Sequence, residues 1–140
     1  MRGQMLIDLV KRFSLTPLET VLHLHGSLVS VASNNQLVLD RLRAESTGFG
    51  KDNRQGATQQ WRIVVEEERK ASQAELIHHG FTHDGLTFIQ ITNGSFLAGD
   101  RESRCGISFI ARSLIEEERL FAQYFLPALI SMLAQMRREA

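Results

Sequence analysis

The chain has 140 residues, 16 Lys+Arg balanced by 16 Asp+Glu, and 43% hydrophobic residues. That length fits one domain, 1–140, able to bury enough apolar surface to fold without a disulfide or structural metal. Zero formal net charge excludes the basic footprint of a general nucleic-acid binder. A single cysteine, Cys105, excludes a disulfide framework and a cysteine-based zinc site.

Asp8 interrupts the apolar core that a secretory signal would need. Leu120–Met136 is the most apolar region, but Gln123, Pro127, Ser131 and Gln135 break it, so no membrane span is expected and the cytoplasm is the expected compartment. In chain order, Leu6, Leu9, Val10 and Phe13 recur at helical spacing and predict a short amphipathic helix within 1–16, stopped ahead of Pro17. Residues 17–112 read as the sheet region. Two apolar runs around Gly26-Ser27 predict a hairpin, with His23 and His25 together on one strand face. Ser33-Asn34-Asn35-Gln36 has the form of a capping box opening a helix over 34–46, which carries Leu37, Val38, Leu39 and Leu42. Residues 47–59 are glycine-rich and predict a surface loop. Trp61, Ile63 and Val65 then share one face of a strand.

Asp84-Gly85 and Asn93-Gly94 both suit two-residue turns with positive φ at the central positions. The first sets His83 opposite Leu86, Phe81 opposite Phe88 and His79 opposite Gln90. The second sets Ile91 opposite Phe96 and Ile89 opposite Ala98. Ile89, Ile91, Phe96 and Ala98 are then expected on an apolar face under helices. Phe88, Gln90 and Leu97 are expected on a mixed face with His79, Phe81, His83 and Leu86. Gly99–Ser103 reads as a solvated polar turn, and Cys105, Ile107 and Phe109 as one face of a last strand. Ser113-Leu114-Ile115-Glu116 predicts a second capping box opening a helical segment over 113–138, kinked at Pro127.

Candidate chemistry is sparse. His79 and His83 stand about 13 Å apart on an extended chain, too far for one metal ion. His23, His25, His78, His79 and His83 therefore read as strand-surface residues. Cys105 reads as a buried thiol. No Gly-x-Ser-x-Gly pattern supports a serine hydrolase. No catalytic residue, cofactor or metal is assigned. The 113–138 segment carries more apolar surface than one stripe requires. Leu120, Phe121, Tyr124, Phe125, Leu129, Ile130 and Leu133 are therefore expected at an interface.

The run from Phe109-Ile110 through Leu114-Ile115-Glu116-Glu117-Glu118 to Phe125-Leu126-Pro127-Ala128-Leu129 resembles the segment ahead of the nucleotide-binding core in bacterial HPr kinase/phosphorylase-related proteins. Leu28–Leu42, with Asp40-Arg41-Leu42, resembles their N-terminal portion, so the resemblance spans residues 20–135. The phosphate-loop pattern Gly-x-x-x-x-Gly-Lys-Ser/Thr does not occur, so no catalytic residue of that family carries over. The resemblance implies a non-catalytic accessory or protein-interaction domain whose partner is a P-loop kinase-like domain. The alternative is a stand-alone small-ligand-binding protein, a homodimer of unknown ligand. The expected fold is α+β: an antiparallel-rich mixed sheet of six or seven strands with helices on one face and a long, kinked C-terminal helix.

Overall fold

The computed structural model describes residues 16–46, 59–66, 79–92 and 94–137. Their alternating apolar positions build one seven-stranded mixed sheet. The strands are β1 (Leu18–Leu24), β2 (Ser27–Ser33), β3 (Gln59–Glu66), β4 (His79–His83), β5 (Leu86–Thr92), β6 (Ser95–Asp100) and β7 (Cys105–Ala111). They lie in the order β1-β2-β3-β7-β6-β5-β4. The β2–β3 and β3–β7 pairs are parallel, and the other four are antiparallel. Helix α1 (Gln36–Glu45) lies between β2 and β3 in the chain. After β7 come α2 (Arg112–Glu116), α3 (Glu118–Leu120), a π-helical turn over Phe121–Phe125, and α4 (Leu126–Arg137). The expected α+β class, with helices packed on one face and a long kinked C-terminal helix, is what the chain forms. The N-terminal helix within 1–16 and the loop up to residue 58 lie outside the described residues, and β3 already begins at Gln59.

The first hairpin turns at His25-Gly26, both with positive φ (46° and 89°), not at Gly26-Ser27. His25 is therefore a turn residue and does not share a strand face with His23. Pairing Leu24 with Ser27 keeps Leu22, Leu24, Val29 and Val31 in the core, which a one-residue slip would have turned outward. On the outer edge of β1 the His23 N–H donates to Ser46 Oγ at 3.1 Å, just past α1.

Neither expected capping box forms. Ser33 ends β2, and its hydroxyl donates to the Ile63 carbonyl at 2.7 Å while accepting from the Asn35 N–H. With Ser33 committed to β3, the cap of α1 is Asn35, whose side chain accepts from the Val38 N–H at 3.1 Å. Asn34 acts as one more strand residue: its amide donates to the Val65 carbonyl and accepts from the Val65 N–H at 2.8 Å. At the other site β7 runs to Ala111, whose N–H donates to Ser95 Oγ, and α2 starts at once. Ser113 is thus already inside the first turn.

The Asp84-Gly85 turn forms as expected, with positive φ at both residues and the register His79↔Gln90, Phe81↔Phe88 and His83↔Leu86. The second hairpin differs. Thr92 pairs with Ser95, but Gln90 pairs with Phe96, so two residues of β5 face one of β6. This bulge at Ile91 shifts the remaining register by one, and Ile89 meets Leu97 while Phe88 meets Ala98. The faces change accordingly. Ile89, Ile91 and Leu97 join the core under the helices, while Phe96 and Ala98 lie on the opposite face with Phe88. Asn93 lies outside the described residues, so the expected backbone of that turn is not described.

The core sits between the sheet and the helices. Trp61 lies across Gly106 on the adjacent β7 and Gly99 on β6 beyond it. A Cβ on Gly106 would stand 2.2 Å from the indole, and one on Gly99 would stand 2.9 Å from Met136 Sδ. The indole N–H donates to Ser108 Oγ at 2.7 Å. At Glu117 (φ −86°, ψ 113°) the chain turns a corner between α2 and α3. Pro127 then enters with no N–H to give. The preceding turn widens so that the Leu126 N–H reaches back to the Phe121 carbonyl, which makes the π segment the kink of this helix. Arg41 locks α1 to this region. Its Nε and Nη2 donate to the carbonyls of Ile115 (2.7 Å) and Glu116 (2.9 Å), and its guanidinium stands 5.8 Å from the Phe121 ring centre.

Candidate functional site

Five of the seven residues expected at an interface are core residues of this chain. Leu120, Phe121, Phe125, Leu129 and Leu133 are all buried, with 0–3% of their surface exposed, in this chain's own core. Tyr124 and Ile130 are half-buried, and Tyr124 packs against that core. The wide apolar stripe has an internal use: the π turn and the corner at Glu117 wrap it over the sheet and against α1. No described helix of this chain is long and apolar enough to cross a membrane.

The surface of interest is the other side of the sheet, here the second face. Because strand side chains alternate, register alone places its residues in lateral rows. The central row is Glu19, Ala32, Arg62, Ile107, Ala98 and Phe88. On one side lies the row Val64, Phe109, Phe96 and Gln90. On the other lie Val21, Ser30, Gln60, Cys105, Asp100 and Leu86.

This face has two halves. Over β1–β3 it is polar. Glu19, Ser30, Ala32, Gln60, Trp61 and Arg62 line a small cleft of about 100 Å³. Ser30 Oγ donates to a Glu19 carboxylate oxygen at 2.9 Å, and Arg62 Nη1 donates to Thr16 Oγ1 at 2.7 Å. Over β5–β7 the face is aromatic. Phe88, Phe96 and Phe109 are half-buried and pack against the buried Ala98 and Ile107, with the Phe96 and Phe109 rings 5.4 Å apart and tilted by 40°. Aromatic rings that pack yet keep one side accessible are the side chains that anchor protein interfaces.

The β6–β7 turn departs from expectation at its first two residues. Gly99 and Asp100 end β6, and Asp100 is only 1% exposed, so neither is part of a solvated loop. Its carboxylate accepts from the Glu102 N–H and from Ser103 Oγ, each at 3.1 Å, and the Arg104 N–H returns to the Asp100 carbonyl. Ser103 Oγ also stands 3.0 Å from Cys105 Sγ. These bonds hold Arg104 at φ 57° and launch β7. Cys105 is buried, as its alternation with Ile107 suggested. Among the described residues no three His, Cys, Asp or Glu side chains gather to hold a metal ion.

Phe88 keeps the mixed face expected of it and Phe109 the face it shares with Ile107; the expectation misplaced Phe96, because the bulge at Ile91 reverses the phase of β6. Arg62 was not singled out, although its alternation with Trp61 and Ile63 sets it on this face. No family model, curated protein or solved structure matches the chain.

Proposed function

We propose that this chain is a non-catalytic accessory domain that binds another protein through the aromatic half of its second sheet face. The observation that carries this reading is the cluster of three half-buried phenylalanines over Ala98 and Ile107, on the face opposite the helices. The resemblance to the region ahead of the P-loop in HPr-kinase-like proteins makes a P-loop kinase-like domain the partner of choice. Calorimetry of the chain against a purified P-loop core of an HPr-kinase-like protein tests it. Replacing Phe96 by Ser should weaken binding at least about tenfold, the usual weight of one aromatic anchor. Equal binding by Phe96→Ser, or no binding by the unmodified chain, removes the reading.

A second reading, a stand-alone small-ligand-binding homodimer, draws on the cleft between Glu19 and Arg62, where groups of opposite charge line one concavity. Saturable binding of a small zwitterion such as glycine, lost in Arg62→Gln, would favour it over protein docking.

A further inference from the structure

Among the described strands β1 is the outermost on its side of the sheet, with β2 as its neighbour. Leu24 and Ser27 flank the two-residue His25-Gly26 turn and so form a hydrogen-bonded pair, and Leu22 and Thr20 share that phase. The N–H and C=O groups of Glu19, Val21 and His23 therefore point away from β2. The bond from the His23 N–H to Ser46 Oγ agrees with that phase and fills the outward donor nearest the turn. At the other end Pro17 has no N–H. Between these two stops the edge offers the N–H groups of Glu19 and Val21, symmetric about Thr20, and no described residue bonds to either. Val21, 43% exposed, is also the most exposed large apolar side chain of the described residues.

This edge is complementary to itself. We propose that two copies of this chain pair their β1 edges antiparallel, about a two-fold axis at Thr20, and so join their sheets into one. Glu19 then stands opposite the partner's Val21, and each such pair exchanges two N–H···O=C bonds. In the same register Pro17, which has no N–H, faces the partner's His23, whose N–H is taken, so no donor is left over. Other registers fit less well. Centring on Val21 directs the Ser46-bound His23 N–H at a partner carbonyl, and centring on Glu19 sets like charges opposite each other. On the helix side Thr20 meets its own copy. Leu18, which packs against the core, meets the partner's Leu22 and continues that core across the junction.

The helix above this edge agrees. α1 lies over β1 and β2, and Arg41 points from it inward to the carbonyls of Ile115 and Glu116. The opposite side of α1, toward the edge, carries Gln36, Asp40 and Arg43. Asp40 accepts from Gln36 at 2.9 Å and from Arg43 at 3.2 Å, and the side chains of Asp40 and Arg43 remain half exposed. The two-fold axis sets α1 antiparallel to its copy at roughly 10 Å, a normal distance between packed helices. Arg43 of each copy then meets the partner's Asp40. On the second face the partner's Val21 stands beside Glu19 and adds a wall to the cleft that Arg62 closes on its other side. The pairing would give the small-ligand homodimer its interface, but it stands on the edge of β1 and not on that reading.

Sedimentation of the full chain from micromolar to millimolar concentration tests this, with Val21→Pro as the variant. Proline is tolerated on an edge strand where the N–H faces outward, so β1 keeps its bonds to β2, and Trp61 fluorescence verifies the fold. The full chain should dimerise, and Val21→Pro should weaken the dimer at least about tenfold. A full chain that stays monomeric, or a folded Val21→Pro that dimerises as well as the parent, overturns the proposal. If Val21→Pro does not fold, Thr20→Cys decides. The two Cα atoms at position 20 would stand about 4.5 Å apart, within disulfide range, whereas those at position 21 would stand about 7–8 Å apart, beyond it. Oxidation should link two copies through position 20, mapped by mass spectrometry apart from Cys105, at least about tenfold faster than through position 21 in Val21→Cys. Equal rates, or no link through position 20, overturn it. Neither measurement uses a ligand or a P-loop core, so failure here is distinct from failure of either functional reading.

Discussion

The two faces of this sheet are built from the same seven strands by opposite means. On the helix face, side chains from every layer interlock. Trp61 spans two glycines, its indole N–H is satisfied by Ser108, and Phe125, Leu129 and Ile110 have no exposed surface. On the second face, a charged half containing Glu19 and Arg62 meets an aromatic half whose three rings stay half-buried. One face thus holds the fold together, while the other joins a small apolar cluster to a polar cleft. A core face must exclude water everywhere, whereas a recognition face needs apolar anchors beside groups that stay wet.

The sharpest way to break this comparison is to remove one phenylalanine from each side. Phe125→Ala should cost about 3–5 kcal/mol, because it empties a fully enclosed position. Phe109→Ala, from a half-buried ring, should cost less than half of that. Guanidinium melts of the two variants measure the gap, and equal losses would mean that the second face is as much a core as the first. Gly106→Ala comes next, at about 2 kcal/mol, since its Cβ would run into the Trp61 ring. Gly99→Ala should cost less, because the atom it meets is the sulfur of the flexible Met136. Pairing Gly106→Ala with Trp61→Leu should cost less than the sum of the two single changes, and strict additivity would show that the contact does not limit stability. The smallest expected effect belongs to Arg41→Met, at about 1–2 kcal/mol. It keeps the aliphatic bulk but strands the carbonyls of Ile115 and Glu116. Thermal unfolding should show that loss, and a variant as stable as the parent would leave α1 and α2 joined by packing alone.

Much of the sheet was legible because strand signals are local. Asp84-Gly85 prescribes its turn and the whole β4–β5 register, and the spacing of Trp61, Ile63 and Val65 names the buried side of β3. The capping boxes misled for a physical reason: a serine hydroxyl serves whichever partner the tertiary structure brings. For Ser33 that partner was the Ile63 carbonyl, 30 residues along the chain. The apolar excess of the C-terminal helix has a related explanation, since five of the seven residues expected at an interface lie in this chain's own core. Counting apolar residues on one helix cannot reveal how wide a sheet waits to receive them.

Local patterning alone established the α+β class, the hairpin at Asp84-Gly85, the apolar side of β3 and the kink at Pro127. Each depends on residues within a few positions of one another. Only the tertiary structure decided the bulge at Ile91, which turned Leu97 inward and gathered Phe88, Phe96 and Phe109 on the second face. It also decided the Arg41 clamp and the contact of Arg62 with Thr16. In a sheet with period two, one inserted residue reverses every side chain beyond it, and whether that insertion is favourable depends on the core that the distant helices complete.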